Sequence, residues 1–220
     1  MTEYLKDGVI IYDNVFIGSN ADISPYVILG KKPLREKTHK LKLIVGNNAT
    51  IRSFTTIYLG SEIGNNFSTG QNVSIREENI IGNNVSIGTG STVEFGNSID
   101  DGTRVHSSCF LEMVTIGKNV FVGPNVIFTD DPHPMKCPYY KECRGGVVLE
   151  DFVKIGANCT ILPGVKIGKN SLIGAGSVVI KNVPPDVVYA GSPAKFRKKI
   201  EDLKCDKGFF ERPYLWEPYI

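Results

Sequence analysis

The sequence predicts an all-β fold in which the chain winds into a parallel β-helix, a solenoid of stacked triangular coils. The leading observation is a six-residue register of mostly aliphatic side chains that runs for twelve positions without a slip. Six is a multiple of the two-residue strand period, so each position returns to the same face, whereas a helix at about 100° per residue would scatter it. Three hexads close one coil of about 18 residues, and stacked coils pair as parallel strands about 4.8 Å apart. The register comprises Val45, Ile51, Ile57, Ile63, Thr69, Ile75, Ile81, Ile87, Val93, Ile99, Val105 and Leu111.

The residues between these axial positions suit the corners of such coils. Gly and Asn follow many of them, as at 64–66 and 82–84, and both tolerate positive φ. We therefore expect Gly and Asn at the corners and a dry aliphatic axis that each coil buries with the help of its neighbours. The fourth residue after an axial position is usually small or β-branched, which fits a tight turn; examples are Ala49, Thr55, Ser61, Val73, Val85, Ser91, Thr103 and Cys109.

Two long interruptions break the register. Residues 31–42 are charged and too polar for the axis, so we expect a loop there, with its His39 either solvated or touching substrate or a neighbouring subunit. Residues 129–148 hold three Pro and two Cys, and loops of this length in a compact domain are usually functional. A single residue is also lost near Met113, after which the register resumes.

The domain organisation follows from where the register ends. One β-helix domain is predicted over residues 1–185, ending where Pro184 and Pro185 cannot donate to a ladder. Residues 186–220 are predicted to form a short basic helix at 196–204 and an aromatic tail that packs on a wall or a partner.

Composition narrows the compartment and the partners. With 25 basic and 23 acidic residues the net charge is +2, which does not mark a general nucleic-acid or membrane-surface binder. No apolar run approaches the ~20 residues of a membrane span, and the N-terminus lacks the hydrophobic segment of a signal peptide. Five cysteines, an odd number, agree with reducing conditions, so a cytoplasmic protein is expected. Cys109 and Cys159 fall on small positions of the repeat and are expected in the core.

The six-residue repeat resembles that of the hexapeptide-repeat acyltransferases. Residues 149–195 are similar to the C-terminal half of the sugar acetyltransferases of this family, which include galactoside and maltose O-acetyltransferases and nucleotide-sugar N-acetyltransferases. The resemblance implies a left-handed β-helix, acetyl-CoA as acyl donor, and a homotrimer in which the donor lies in a groove between neighbouring prisms. It also implies a sugar or nucleotide-linked (amino)sugar acceptor in surface glycan synthesis.

The same resemblance implies which residues meet the donor. Ala157 and Ala175 match corner residues that approach the pantetheine in the family. Lys181, Lys195 and Lys198 match basic positions at the nucleotide end and its phosphates, for which several Lys charges are suited.

The motif FTDDPHP resembles the loop that carries the catalytic His in the O-acetyltransferases, which implies His133 as general base. An acceptor hydroxyl or ammonium must lose a proton to attack a thioester, and an imidazole with a reference pKa of about 6.5 can take it near neutrality. Asp130 or Asp131 would orient the ring. In many aminosugar N-acetyltransferases the loop has Tyr at the place of His133 and Arg at the place of Met135, so O- and N-acetylation both stay open.

Other residues leave alternatives open. By its position His106 is either an acceptor-site residue or a surface residue, and Asn125 is a weaker acceptor-side candidate. Cys137 and Cys143 are either a loop-stapling pair or ligands shared with a neighbour, but two thiols alone do not make a zinc site, so no metal is expected. A γ-class carbonic anhydrase, which binds metal through His across a subunit boundary, and a noncatalytic scaffold are the alternative functions.

Overall fold

Aliphatic side chains from three walls fill the inside of the solenoid, as the six-residue register predicts. The computed structural model describes residues 3–5, 8–34, 41–133 and 137–218. The axial side chains from Leu29 to Val179 are buried, and the small residues four positions later, including Cys109 and Cys159, face the same core.

Nearly every strand is two to four residues long, because each wall of a coil is short. A four-residue helix, α1 (Tyr140–Cys143), lies in the second loop, and a 3-10 turn spans Ile200–Asp202. The strands are β1 (Glu3–Leu5), β2 (Val9–Ile11), β3 (Val15–Ile17), β4 (Asp22–Ile23), β5 (Ile28–Lys31), β6 (Leu43–Val45), β7 (Thr50–Ile51), β8 (Thr56–Tyr58), β9 (Glu62–Ile63), β10 (Ser68–Thr69), β11 (Ser74–Ile75), β12 (Ile80–Ile81), β13 (Ser86–Ile87), β14 (Thr92–Val93), β15 (Ser98–Ile99), β16 (Arg104–Val105), β17 (Phe110–Leu111), β18 (Thr115–Ile116), β19 (Phe121–Val122), β20 (Ile127–Phe128), β21 (Val148–Leu149), β22 (Lys154–Ile155), β23 (Thr160–Ile161), β24 (Lys166–Ile167), β25 (Leu172–Ile173), β26 (Val178–Val179), β27 (Val187–Ala190) and β28 (Lys195–Lys199).

The strands form three sheets, which are the walls of the prism. Wall 1 has the order β1-β2-β5-β8-β11-β14-β17-β20-β23-β26, wall 2 runs from β3 to β24 in steps of three, and wall 3 runs from β4 through β25 to β27 and β28. The coils stack in parallel at an 18-residue spacing, as in the pairing of Ser68 with Ser86. Ser98 pairs with Thr115 instead of the residue after it, which confirms the single lost residue near Met113.

The corners confirm the role of Asn and show a second role for Gly. Asn48, Asn66 and Asn84 have positive φ, and their side-chain amides hydrogen-bond from coil to coil at 2.9–3.0 Å. The Gly directly after an axial residue has a different reason to be Gly. A Cβ on Gly64 would lie 2.8 Å from the backbone of Gly82, so close stacking of the coils excludes a side chain there.

The predicted basic helix at 196–204 is wrong. Residues Lys195–Lys199 form the exposed strand β28, which pairs antiparallel with β27. Because β27 itself pairs with β25, wall 3 continues to Ala190, beyond the predicted end of the β-helix at 185. The edge of that wall offers unpaired backbone groups, and pairing with it outweighs the weak helical tendency of a short basic run.

The aromatic tail contacts wall 3. The Lys154 ammonium lies 4.0 Å from the ring centroid of Tyr214, and the rings of Tyr214 and Trp216 are 5.8 Å apart. Across the described residues, no helix has both the length and the apolar character needed to cross a membrane.

Candidate active site

Both long interruptions leave the prism at the same corner, where wall 1 passes to wall 2. Residues 32–42 connect β5 to β6, and residues 129–147 connect β20 to β21. We call this corner the loop edge. The two loops are five coils apart, or roughly 24 Å at the usual strand spacing. His39, in the first loop, lies outside the described residues.

The second loop closes on its own main chain. At its start, both the backbone N–H and the hydroxyl of Thr129 donate to the carbonyl of Ile161 at 3.1 Å. The N–H of Gly145 donates to the carbonyl of Asp130 at 2.8 Å. The Gly145 bond joins the end of the loop to its beginning, and the Thr129 bonds anchor that beginning to the next coil.

His133 is exposed in this loop. The carboxylate of Asp131 accepts a hydrogen bond from the backbone N–H of His133 at 2.8 Å, so it fixes the turn that presents the imidazole. Asp130 is partly buried beside it. That either carboxylate orients the ring itself stays a prediction.

The loop folds two thiols onto the imidazole. The ligand atoms of His133, Cys137 and Cys143 all lie within 4.8 Å of one another. Desolvation, followed by the neighbouring Cys137 thiol, raises the pKa of Cys143. The sequence left the thiols as a stapling pair or as ligands shared with a neighbour; the short spacing from His133 to Cys137 was the available signal for a third group.

The end of the loop is seated on the coils below it. The guanidinium of Arg144 lies 5.5 Å from the ring centroid of Phe95. Gly146 packs against Met113, and a Cβ at Gly146 would collide with the Met113 carbonyl oxygen. Both Phe95 and Met113 are at the loop edge, which therefore supports the loop from beneath.

A polar network that the sequence analysis missed follows the loop edge downward. Arg76 donates two hydrogen bonds to Glu77, at 2.8 and 2.9 Å, and one to Glu94 at 3.1 Å. The ring of Tyr58 lies 5.2 Å from the Arg76 guanidinium and 5.5 Å from the Lys31 ammonium. The hydrogen bond to Glu77 is the main reason that the pKa of Arg76 is raised. Charged residues directly after axial positions, where Gly is frequent elsewhere, were the signal in the sequence.

The predicted cofactor residues lie at a different corner. Ala157 and Ala175 follow β22 and β25, where wall 3 passes to wall 1; we call this corner the cofactor edge. They lie in consecutive coils, and the backbone N–H of Gly176, the residue after Ala175, donates to the carbonyl of Ala157 at 2.8 Å. Ala157 is partly exposed and Ala175 exposed.

The predicted acceptor residues also lie at the cofactor edge. His106 follows β16, and its Nδ1 accepts the Ser107 backbone N–H at 2.8 Å, which fixes the ring. It lines a shallow groove on wall 3 with Arg104. Asn125 follows β19 one coil further along, is exposed, and has positive φ. Within one chain the structure therefore groups His106 with the cofactor positions and places His133 at the loop edge.

Two of the three predicted lysines share a groove. Lys181 and Lys195 line a depression of about 340 Å³ together with Tyr189 and Phe196. Lys198 is exposed on β28 but does not line this groove.

Comparisons with known proteins agree with this architecture. The family described as bacterial transferase hexapeptide (six repeats) matches residues 146–181. A galactoside O-acetyltransferase of Lactococcus lactis is 39% identical over 117 residues, which are 49% of this chain and 56% of that protein. The chain spans 49% to 65% of the length of the first curated relatives it matches.

Two solved structures extend the comparison. A hexapeptide-repeat containing acetyltransferase of Vibrio cholerae is 31% identical with a TM-score of 0.50, over 55% of this chain and 73% of that one. A UDP-N-acetylglucosamine acyltransferase of Campylobacter jejuni has a TM-score of 0.68 at 18% identity, over 87% of this chain and 73% of that one, and shows the fold alone. The fold is a left-handed parallel β-helix, and the chain belongs to the hexapeptide-repeat acyltransferase family.

Proposed function

We propose that this protein transfers an acetyl group from acetyl-CoA to a hydroxyl or amino group of a sugar or nucleotide-linked (amino)sugar, in the synthesis of a surface glycan. The observation that carries the proposal is the exposed imidazole of His133, whose backbone N–H is held by Asp131 in a loop of a hexapeptide-repeat acyltransferase fold. The sugar O-acetyltransferase among the relatives supports the acceptor class. The cytoplasm is the proposed compartment and remains a prediction.

A homotrimer would bring the two halves of the site together. Wall 1 separates the cofactor edge from the loop edge by about five extended residues, roughly 15 Å, which is too far for a direct proton transfer. A head-to-tail interface pairs two different patches of identical subunits and can close into a ring. The loop edge of one subunit would then face the cofactor edge of the next, and the acetyl thioester would lie between them.

The surface next to the loop edge supports such an interface. Wall 2 exposes the side chains of Phe16, Ile44 and Ile80, with Ile80 63% exposed. Phe16 and Ile44 are cross-strand partners and form one apolar patch, which the exposed Glu62 separates from Ile80. Contiguous exposed apolar surface on a folded protein often marks an interaction site, and the Phe16–Ile44 patch supports the interface on that ground.

In the proposed reaction His133 acts as general base. Its imidazole takes the proton of the acceptor group as that group attacks the thioester carbonyl, and a backbone N–H at the cofactor edge of the neighbouring subunit stabilises the oxyanion. Collapse of the tetrahedral intermediate breaks the carbon–sulfur bond, and CoA leaves as its thiol after receiving a proton. Asp131 holds the loop backbone, and Asp130 remains the candidate for orienting the ring.

The remaining predicted residues have binding roles in this proposal. Ala157 and Ala175 would let the backbone approach the pantetheine because their side chains are small. Lys181 and Lys195 would meet phosphates of the donor in their shared groove, and Lys198 would act only from outside it. His106 and Asn125 would contact the acceptor.

Thiol release from acetyl-CoA in the presence of a panel of acceptors tests the proposal. The panel should contain simple glycosides and nucleotide-linked 3- or 4-amino sugars, which separates O- from N-acetylation. The His133→Ala variant is expected to lose 10²- to 10⁴-fold in kcat while its thermal unfolding and its affinity for acetyl-CoA stay unchanged. Full activity of this variant, or no acetyl-CoA binding by the wild-type protein, would refute the proposal.

A further inference from the structure

We propose that the second loop binds a zinc ion through His133, Cys137 and Cys143. These residues offer one nitrogen and two sulfur atoms, and the three atoms lie within 4.8 Å of one another. His133 and Cys143 are exposed and Cys137 is partly exposed, so an ion can reach them. The described parts of the chain contain no other group of three metal-ligating side chains so arranged.

The spacing is close to that of a tetrahedral zinc site. Zn–S bonds of about 2.3 Å and Zn–N bonds of about 2.1 Å place two sulfurs and one nitrogen about 3.6–3.8 Å apart in a tetrahedral site. Ligand atoms within 4.8 Å need only about 1 Å of further approach, which exposed side chains can supply by rotation. The ligands would not have to be gathered from an extended chain.

Main-chain contacts hold the residues that carry the ligands. Cys143 ends α1, and its N–H donates to the carbonyl of Tyr139 at 3.0 Å. His133 is fixed through its own N–H to Asp131 at 2.8 Å. The hydrogen bond from Gly145 to Asp130 closes the loop between them. None of these bonds uses a ligand atom, so they restrict the loop backbone without any contribution from a metal and lower the ordering cost of binding.

The ligand types select the metal. Thiolate and imidazole ligands prefer zinc to the hard cations magnesium and calcium, which prefer oxygen. Two thiolates also neutralise the charge of a divalent ion. Three protein ligands leave the fourth position of a tetrahedral ion open to water.

Zinc at this site would regulate the proposed transferase, and this consequence rests on the proposed function. A ring nitrogen that coordinates zinc is no longer free to accept a proton, and the ligated ring is held at the thiols. Zinc binding would therefore inhibit acetyl transfer, and removal of zinc by a chelator would restore it.

Metal binding is tested first, independently of activity. The metal-stripped, fully reduced protein is titrated with Co²⁺, and bound Co²⁺ is then displaced with Zn²⁺. We expect one equivalent per chain with a thiolate-to-cobalt charge-transfer band. Cys137→Ser and Cys143→Ser should each lower the affinity by about 100-fold or more, since even outer-shell substitutions cost 10–100-fold. Cys205→Ser, which removes a partly exposed thiol outside the cluster, should leave the affinity unchanged.

Two results would overturn the site. One is the absence of a charge-transfer band at one equivalent in the reduced protein, and the other is binding that survives Cys143→Ser. If a Cys137–Cys143 disulfide forms in air and the reduced protein binds no ion, the thiols are a redox staple and the proposal is wrong.

The regulatory consequence has its own readout. The rate of each variant is measured with and without Zn²⁺ and compared with its own metal-free rate. Wild type and Cys205→Ser should be inhibited, and Cys143→Ser should lose the inhibition. Stoichiometric binding with transfer that zinc does not inhibit would refute the regulation. Stoichiometric binding without any transfer activity would refute the proposed function but leave the metal site in place.

Discussion

The buried lysine on wall 3 should make the stability of this protein rise with pH. The side chain of Lys154 donates to the Oδ1 and the carbonyl oxygen of Asn170, at 2.5 and 3.3 Å, and the residue is only 5% exposed. Burial lowers the pKa of Lys154 from 10.5 to about 8, and the nearby Asp186 opposes the shift.

The sign follows from proton binding in the two states. Between about pH 8 and 10.5 the unfolded chain still holds the lysine proton and the folded chain has lost it, so stability increases with pH in this window. Below pH 8 the full cost of burying the charge applies. A shift of about 2.5 pKa units corresponds to at most about 3 kcal/mol. The hydrogen bonds to Asn170 and the contact with the Tyr214 ring stabilise the charged form and reduce this to about 1–2 kcal/mol.

The perturbation is Lys154→Met, and the assay is denaturant unfolding at one fixed protein concentration. The free energy of unfolding of wild type minus that of the variant should rise by about 1–2 kcal/mol from pH 7 to pH 10. Taking the difference cancels the titration of Cys109 and Cys159, whose pKa values burial raises. The same comparison with Lys204→Met, at an exposed lysine, should be flat. A flat or falling difference for Lys154→Met would refute the reasoning.

Three further predictions concern the loop, the donor groove and the axis. Gly146→Ala should lower kcat at least tenfold, because the new Cβ collides with Met113 and displaces the loop. Gly145→Ala should leave kcat unchanged, because a Cβ there meets nothing within 4 Å. Equal rates for the two variants would contradict the packing of the loop on Met113. Lys195→Ala should raise the KM for acetyl-CoA about tenfold, or about 1.4 kcal/mol, at unchanged kcat. Lys198→Ala, outside the groove, should change the KM little. A larger rise in KM for Lys198→Ala than for Lys195→Ala would exclude the groove as the phosphate site. Ile87→Ala should lower the free energy of unfolding by about 2–5 kcal/mol, since Ile87 is 1% exposed, and a loss below 1 kcal/mol would argue against a dry axis.

The axis could be predicted from the sequence because buried positions in a solenoid recur at a fixed interval along the chain. Each axial residue meets the residue one coil away, and the sequence itself shows where this spacing changes, at Met113 and at the two long insertions. The corners were predicted for the same reason, although the need for Gly64 comes from stacking against Gly82. The sequence alone does not show whether a corner Gly is needed for close stacking or for a positive φ, and the structure does.

The loop and the C-terminus could not be predicted in the same way, because their partners lie outside the repeat. His133 lies beside the two thiols in a loop that the bond from Gly145 to Asp130 closes, and this contact has no periodic signature. Residues Lys195–Lys199 form a strand because β27 leaves an open sheet edge beside them. Sequence propensity describes the segment alone, and here pairing with β27 determines its secondary structure.

Both long loops leave the prism at the loop edge, the corner across wall 1 from the cofactor edge. The ends of both interruptions keep the ladder intact. At the first, Leu59 donates to Lys31 and Gly60 to Lys42, at 3.0 and 2.8 Å; at the second, Thr129 donates to Ile161 at 3.1 Å and Thr115 to Val147 at 2.9 Å. Corners therefore accept long insertions at little cost in hydrogen bonds, whereas walls do not. A loop placed there stands on a rigid stack and reaches away from its own cofactor edge. In the proposed ring that direction is toward the next subunit, so subunit contact and catalytic competence would be the same event. Dilution below the dissociation constant of the ring should then abolish transfer before it unfolds the chain. Activity per chain that stays constant while the ring dissociates would contradict the shared site.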